Sequence, residues 1–332
     1  MSTVLPLPRE KQATITSPLS NPIVSNSAVS AHARSVAGHK AIRMGRTATA
    51  NEGVNWITLI ALIAFHIGAV AALFFFSWER LIVMLVLYVL AINVGIGMCY
   101  HRLLTHRGYE VPKWLEYAMT VCATLALEGG PMFWVATHRV HHQHSDQQGD
   151  PHTPRDGKWW AHAGWLIFGD AMASESALLN RYVPDLARDR FHNWISKYHW
   201  LPLVGTGVLL FSGGALQGGW VSGVAMVLWG VFLRVTIGLH TTWLVNSATH
   251  LWGSRRFSTR DDSRNSWWVA LLSGGEGWHN NHHAHPVSAR HGLRWFEIDP
   301  NFYGIWLLSK VGLAKHIRVA QFDRADPRPA GL

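Results

Sequence analysis

Cysteine is scarce in this chain. The 332 residues include only two copies, Cys99 and Cys122, which lie in apolar stretches and form no CxxC pair. A disulfide framework and a thiolate zinc site are therefore not expected, because both require cysteines at matching spacings. We expect both residues to serve in packing.

Charge is also low. Charged residues make up 15% of the chain and hydrophobic residues 48%, whereas ordinary soluble domains have about 25% charged residues. This composition is typical of a membrane protein. The formal net charge of +9 is spread over polar loops and the N-terminal region. An anionic membrane surface is therefore the expected partner, and nucleic acid is not.

Four apolar runs are present, over residues 56–76, 81–100, 201–216 and 221–245. A run of about 20 residues is long enough to cross a bilayer core of roughly 30 Å as a helix. Short breaks join the runs in pairs, which predicts two helical hairpins. We therefore predict an all-α integral membrane protein with four transmembrane helices, and with a helical cap on the face where both hairpins begin and end.

The segments outside the hairpins share one face of the membrane. Basic residues are frequent in the N-terminal tail, whereas the hairpin turns carry only Arg80, so the positive-inside rule places this face in the cytoplasm. We predict a disordered tail over residues 1–50, a membrane domain over 51–318 and a C-terminal tail over 319–332. An organellar transit peptide is the alternative for the first segment. The basic residues of the tail are Arg9, Lys11, Arg34, Lys40, Arg43 and Arg46.

A fifth apolar stretch covers residues 114–127. It is too short for a span, so we predict a helix that lies at the membrane interface or is partly inserted.

Histidine is abundant, with 21 copies, and many of them form three boxes. Two boxes have the spacing i, i+3, i+4, which gathers three imidazoles on one face of a helix. The other has the spacing i, i+5, about 140° around an α-helix. Its rings should therefore diverge and reach different metals, or the helix should end between them. The boxes are His101-Arg-Leu-Leu-Thr-His106, His138-Arg-Val-His141-His142 and His279-Asn-Asn-His282-His283, with a ninth histidine in Asn246-Ser-Ala-Thr-His250.

These nine histidines are too many for one tetrahedral zinc ion, but they suit two adjacent metals with four or five nitrogen donors each. A single histidine is more often solvated or packed in a core. Three boxes beside the ends of spans, on one membrane face, favour metal ligation. We predict two ferrous ions held by the cap, although imidazole also suits copper and zinc.

With these motifs the chain resembles the membrane fatty acid desaturases, in particular the delta-9 acyl desaturase group that includes the stearoyl-CoA desaturases. The resemblance covers residues 55–315 and extends to Asp150-Pro-His152 and Gly275-Glu-Gly-Trp-His279. The segment Ala284-His-Pro-Val-Ser-Ala-Arg-His-Gly292 is more similar to the bacterial, cyanobacterial and plant branch than to the animal one.

The resemblance implies roles for particular residues. It implies four transmembrane helices under a cytosolic domain, two irons held by the nine box histidines, and Asn246 reaching one iron through water. It also implies a kinked tunnel for the acyl chain, with Trp134 and Thr242 at the bend. No catalytic residue is expected beyond the metal ligands.

The implied reaction is the O2-dependent introduction of a cis double bond into a long-chain fatty acyl group at the delta-9 position, as in fatty acid biosynthesis. The substrate is expected as acyl-CoA or as a lipid-bound chain within the membrane. About thirty residues follow Phe302, so electrons are expected from a separate ferredoxin-like or cytochrome-type donor. A membrane di-iron hydroxylase acting on fatty acyl chains or alkanes is the first alternative, and a histidine-rich metal transporter is the second.

Overall fold

The computed structural model describes residues 45–46, 53–168 and 181–321, which all belong to one compact unit, Ile42–Leu332. The tails predicted over 1–50 and 319–332 lie almost entirely outside these residues. Across the described ranges the regular elements are helices, and β-pairing is limited to isolated bridges.

Twelve α-helices make up most of the described structure. In chain order they are α1 (Trp56–Ala72), α2 (Trp78–Tyr88), α3 (Lys113–Thr124), α4 (Pro131–His144), α5 (Trp165–Ile167), α6 (Pro184–Ala187), α7 (Arg190–Lys197), α8 (Leu201–Val227), α9 (Arg234–Leu251), α10 (Trp267–Ser273), α11 (His279–Ala284) and α12 (Pro300–Lys310). Wider π-type turns occupy Val89–Thr105, Trp160–Gly164 and Leu228–Leu233, and 3-10 turns occupy Leu73–Phe75 and Pro154–Asp156.

Three helical stretches in the described residues are long and apolar enough to cross a membrane. The first is Trp56–Phe75, with a mean hydropathy of 2.4, and the second is Trp78–Thr105, with a mean hydropathy of 2.5. Asn55 caps the first by accepting a hydrogen bond from the Thr58 amide, and Ser77 caps the second in the same way. The third stretch, Leu201–Leu251, covers both of the later apolar runs.

The second stretch is longer than the sequence predicted. We expected it to end at residue 100, but it continues to Thr105 and includes the polar pair His101 and Arg102. Both side chains are buried, and both contact the carboxylate of Glu276. Because these polar groups find partners inside the protein, the helix does not need to end where the apolar run ends.

The third stretch is interrupted at two glycines. Gly218 and Gly219 have non-helical dihedral angles, and Gly219 has a φ of 74°. The segments on either side then pack against each other: a Cβ added to Gly214 would lie 2.7 Å from the carbonyl oxygen of Ser222 and 2.9 Å from the Cα of Gly223. The chain therefore turns back at the glycines, and small residues let its two halves approach closely.

We expect the change Gly219→Ala to destabilise the protein by about 1–3 kcal/mol, because its backbone conformation is almost restricted to glycine. The control is Gly213→Ala in the preceding helix, where an added Cβ meets no atom within 4 Å. This second change should be neutral or stabilise the helix by up to about 1 kcal/mol. Thermal unfolding in detergent measures both, and equal midpoints would contradict the prediction.

The predicted helix over 114–127 is confirmed, although it ends at Thr124. It packs closely on the π-type segment Val89–Thr105, where a Cβ added to Gly95 would lie 2.4 Å from the Cα of Ala123. Its position at the membrane interface stays a prediction. We call the remaining described segments, 106–168, 181–200 and 252–321, the cap.

Candidate metal centre

Four elements carry the nine box histidines. The first box lies at the end of the π-type segment Val89–Thr105, the second in α4, His250 at the end of α9, and the third in α11. All nine side chains are buried or half-buried. Their ring nitrogens converge into two groups, each with its ligand atoms within 4.8 Å of one another. The five-histidine group is His101, His106, His138, His142 and His282, and the four-histidine group is His141, His250, His279 and His283.

The structure contradicts one of the two alternatives expected for the first box. His101 and His106 do not diverge towards different metals, because both belong to the five-histidine group and their ring centroids are 4.9 Å apart. The helix does end between them, at Thr105, as the other expectation stated. In this segment the N–H of residue i+5 donates to the carbonyl of residue i, as His106 N–H does to His101. In these wider turns residues i and i+5 lie about one turn apart, whereas in an α-helix they would be separated by about 140° around the axis.

The second and third boxes are each divided between the groups. In the second box, His138 and His142 enter the five-histidine group and His141 enters the other. In the third box, His279 and His283 enter the four-histidine group, and the remaining His282 enters the five-histidine group. In both boxes the histidines at i and i+4 belong to the same group, and the histidine at i+3 belongs to the other group. A single helix face therefore supplies histidines to both groups.

The distances between ring nitrogens fit metal ligation. Two nitrogens bonded at about 2.1 Å to one metal, at a right angle, lie about 3.0 Å apart. Within the described part of the chain, the buried Nε2 atoms of His106 and His141 have no hydrogen-bond partner, as expected for lone pairs directed at a metal. The Nε2–Nε2 distances are 3.1 Å for His138–His142, 2.9 Å for His142–His282, 3.1 Å for His101–His282, 3.0 Å for His250–His279 and 3.0 Å for His279–His283.

Carboxylates lie behind four of the nine imidazoles. Each contacts Nδ1 and so favours the tautomer in which Nε2 carries a free lone pair for a metal. The pairs are His101–Glu276 at 2.6 Å, His141–Asp150 at 3.0 Å, His250–Asp146 at 2.7 Å and His283–Asp261 at 3.0 Å.

Sequence reasoning did not assign a role to these four carboxylates. Asp150 and Glu276 occur in motifs that carry the family resemblance, so a signal for them was present. Asp146 and Asp261 stand in polar loops with no such pattern. Asp146 reaches His250 across 104 residues of chain, a contact that only the fold creates.

The electrostatics keep the carboxylate of Asp146 charged and the imidazoles of His279 and His282 neutral. Burial alone would raise the pKa of Asp146, but hydrogen bonding and charge from His250 and a backbone amide lower it below the usual range. Burial lowers the pKa of His279 and His282 well below the ordinary value, and neighbouring histidines lower it further. Neutral imidazole is the form that binds a metal.

An apolar cavity of about 300 Å³ adjoins the five-histidine group, since His138 lines it. Asn246, predicted to reach a metal through water, also lines this cavity, and that role stays a prediction. Trp134 and Thr242, the two predicted substrate residues, lie in the cavity wall, and Trp134 stacks on His138 with ring centroids 5.1 Å apart. Other lining residues are Thr58, Leu62, Phe65, Leu127, Glu128, Phe133, His152, Leu239 and Trp243.

Glu128 joins the two predicted substrate residues. The indole N–H of Trp134 donates to Oε2 of Glu128 at 3.0 Å, and the hydroxyl of Thr242 donates to Oε1 at 2.7 Å. The sequence analysis did not single out Glu128, because a lone glutamate after an apolar stretch carries no pattern. The carboxyl thus holds side chains from two helices at one place in the cavity wall.

Glu128 should make stability depend on pH. Burial raises its pKa to about 7 from an ordinary value of 4.5, and hydrogen bonds from Thr242 and Trp134 offset only part of this rise. The folded protein therefore holds this proton more tightly than the unfolded chain. Its contribution to stability is fully present below pH 4.5 and is lost as the pH rises through about 7.

We expect the thermal midpoint of Glu128→Gln to rise relative to that of the wild type between about pH 5 and pH 8, because glutamine does not ionise and the variant does not lose this contribution. Glu110→Gln, at an exposed side chain, is the control and should follow the wild type. Parallel curves for wild type and Glu128→Gln would contradict this assignment.

Arg234 lies inside the third apolar stretch and is buried. A charged side chain within an apolar helix is expected to have a partner inside the protein. The guanidinium donates to the carbonyl of Leu125 at 2.5 Å and to that of Gly230 at 3.1 Å. Its observed partners are therefore backbone carbonyls, one of them in the turn that leads to Glu128.

Comparison with known proteins agrees with the site. The family model described as "Fatty acid desaturase" matches residues 76–306. The sn-1 stearoyl-lipid 9-desaturase of Anabaena variabilis is 44% identical over 80% of this chain and 95% of the relative. The Delta-9 acyl-lipid desaturase 2 of Arabidopsis thaliana is 39% identical over 80% and 83%, and the icosanoyl-CoA 5-desaturase of Limnanthes douglasii is 40% identical over 80% and 72%.

The chain belongs to the fatty acid desaturase family, and its resemblance to the delta-9 acyl desaturases is confirmed. It is an integral membrane oxidoreductase that desaturates fatty acyl groups. The family and the two clusters of histidines indicate a metal site.

Proposed function

We propose that this enzyme places a cis double bond at the delta-9 position of a long acyl chain carried by a membrane lipid, and that it uses two irons. The observation that carries the proposal is the contact between a nine-histidine centre and an apolar cavity through His138. An acyl chain in this cavity would lie beside the metal ligands. The relatives from Anabaena and Arabidopsis, named as lipid 9-desaturases, support both the position and the carrier.

The carrier is supported by the cavity wall as well. Ile57 and Ala61 of α1 line the cavity, and both are exposed on the first apolar helix. An opening beside a membrane helix suits a chain that enters from the bilayer. Acyl-CoA is the second candidate, because the relative from Limnanthes is named for a CoA ester.

Iron is proposed as the metal because the reaction breaks unactivated C–H bonds. Zinc has no redox chemistry and could not support this step. The proposed ligands are the nine box histidines, with Asn246 acting through water. Bound iron would supply the reductive activation of O2, and the protein would supply ligation, shape and exclusion of water.

The residues of the cavity wall have separate tasks in this proposal. Trp134 and Thr242 shape the bend that sets which carbon pair faces the centre, and Glu128 holds both side chains in place. The aromatic and aliphatic side chains around them exclude water from the reacting carbons.

The proposed topology has four transmembrane helices. The turn at Gly218 and Gly219, and the packing of the segments on either side, support two spans within Leu201–Leu251. The scarcity of basic residues in the hairpin turns supports a cytoplasmic position for the termini and the cap. The membrane domain would then cover residues 51–318, with tails over 1–50 and 319–332.

A separate electron donor, ferredoxin-like or cytochrome-type, is part of the proposal. A second cavity of about 800 Å³ with a polar lining reaches His142 and His283, one ligand from each group. This cavity supports access of the donor to these histidines from the polar cap. Its other polar lining residues include Gln143, Ser145, Gln147, Thr259, Arg260, Asp261, His285 and Gln321.

Neither rival activity has specific support. The family comparison favours desaturation over hydroxylation. Three histidines within or beside the long helices, His66, His240 and His162, contact in a row at 3.0 Å each. Because His240 uses a different ring nitrogen for each neighbour, this row does not converge on one metal as a transport site would require.

The test is expression in a host strain that lacks unsaturated fatty acids. We expect a cis alkene at the delta-9 position, found first in the glycerolipid fraction after a short labelling pulse. Label appearing first in unsaturated acyl-CoA would favour the second carrier. A hydroxylated chain would contradict the proposed reaction.

A further inference from the structure

The two histidine groups differ in the charge behind them. Three of the four imidazoles in the four-histidine group have an aspartate at Nδ1, namely Asp146, Asp150 and Asp261. Among the described residues, Glu276 at His101 is the only such partner in the five-histidine group. The group with fewer histidines therefore has more carboxylates in contact with its imidazoles.

The single carboxylate of the five-histidine group is also shared. Glu276 receives the buried guanidinium of Arg102 at 2.9 Å, and His291 lies 3.0 Å from its other oxygen. Arg102 in turn contacts Asp299 at 2.9 Å. A buried cation therefore compensates part of the negative charge behind His101.

The three aspartates have no such pairing among the described contacts. Their side chains accept hydrogen bonds from histidines, from hydroxyls such as that of Thr153, and from backbone amides such as that of Asp262. The nearby arginines Arg155 and Arg255 donate to the backbone carbonyls of Asp146 and Asp261, not to their carboxylates. The anionic charge therefore remains directed at the imidazoles.

Carboxylates behind ligating histidines raise the basicity of the ligand, and charges in a buried site interact strongly with a cation. We infer that the four-histidine group binds its metal more tightly than the five-histidine group, and that Asp146, Asp150 and Asp261 cause this difference. The inference rests on the proposed two-metal centre. If the number of donors controlled affinity instead, the order would be the reverse.

The order can be measured with half-loaded protein. The full-length protein is stripped of metal, then given one equivalent of ferrous iron per chain without oxygen, and the iron is located by anomalous diffraction. We expect most of the anomalous signal at the four-histidine group. Equal signals, or a stronger signal at the five-histidine group, would overturn the inference.

The same protein with excess iron tests the centre itself. Two irons per chain are expected at saturation. Fewer than two would count against the proposed function, whereas two irons with no order of filling would count against this inference alone.

Neighbouring aspartates provide a matched pair of variants. Asp261→Asn keeps the shape and an acceptor oxygen for His283 but removes the charge, so we expect iron affinity at the four-histidine group to fall by roughly 10–100-fold. The first iron should then move towards the five-histidine group. Asp262→Asn is the control, because the carboxylate of Asp262 pairs with the exposed Arg155 at 2.8 Å and touches no box histidine.

Iron retained at the five-histidine group shows that Asp261→Asn is folded, so loss of fold and loss of charge are distinguished. Identical distributions of iron in the Asp261→Asn and Asp262→Asn variants would contradict the role assigned to these carboxylates. A redistribution in Asp261→Asn alone would support it.

Discussion

Replacement of His141 or His282 by alanine should abolish desaturation, with a loss larger than the roughly 100-fold typical of removing an outer partner of a ligand. His141 belongs to the four-histidine group and His282 to the five-histidine group, so each change removes a proposed ligand from a different group. Since amino-acid side chains alone do not oxidise a methylene group, little activity should remain. Conversion of a labelled saturated chain in membranes measures the effect, and iron content should fall in parallel.

The control for these changes is His144→Ala. This residue ends α4, two positions after the second box, and belongs to neither group. Activity and iron content close to those of the wild type are expected. Full activity after loss of His141 or His282 would remove the metal-centred mechanism, and loss of activity without loss of iron would remove the assigned ligation.

The change Arg102→Met should destabilise the fold by about 3–5 kcal/mol, the usual cost of removing one partner from a buried ion pair. Arg102 is buried, and it contacts Glu276 and Asp299 while donating to the carbonyl of Ala289. Without it, two carboxylates stay buried with no cation between them. Thermal unfolding in detergent, followed by tryptophan fluorescence, measures the loss.

Arg107→Met is the matched control for this second prediction. The Arg107 side chain pairs with Asp185 but is 55% exposed, and exposed pairs contribute about 0–1 kcal/mol. We expect a small shift of the midpoint. If both variants unfolded at the same temperature, the network around Arg102 would not have the structural role assigned to it.

Arg102 and the group of box histidines that contains His101 are close together in the structure. Arg102 follows His101 directly in the sequence, and Glu276 contacts both side chains. The ion pairs that join the second apolar helix to the cap therefore also orient a metal ligand.

The sequence predicted the elements of this site well where the signal was local. The i, i+3, i+4 spacing placed each later box on one helix face, and the apolar runs located the long helices. It erred where local pattern and tertiary contacts disagreed. The second helix continued to Thr105 because Arg102 found buried partners, and the rings of His101 and His106 met because the helix widens and then ends.

Composition and motif spacing alone determined that this is a membrane protein with a histidine-rich metal centre, and the motifs identified its family. Only the tertiary structure decided how the nine ligands divide into five and four, and which carboxylates support them. The physical reason is distance along the chain: His101 meets His282 across 181 residues, and Asp146 meets His250 across 104. Helical periodicity specifies neighbours within a turn or two, whereas packing of whole helices and loops determines which distant side chains share a metal.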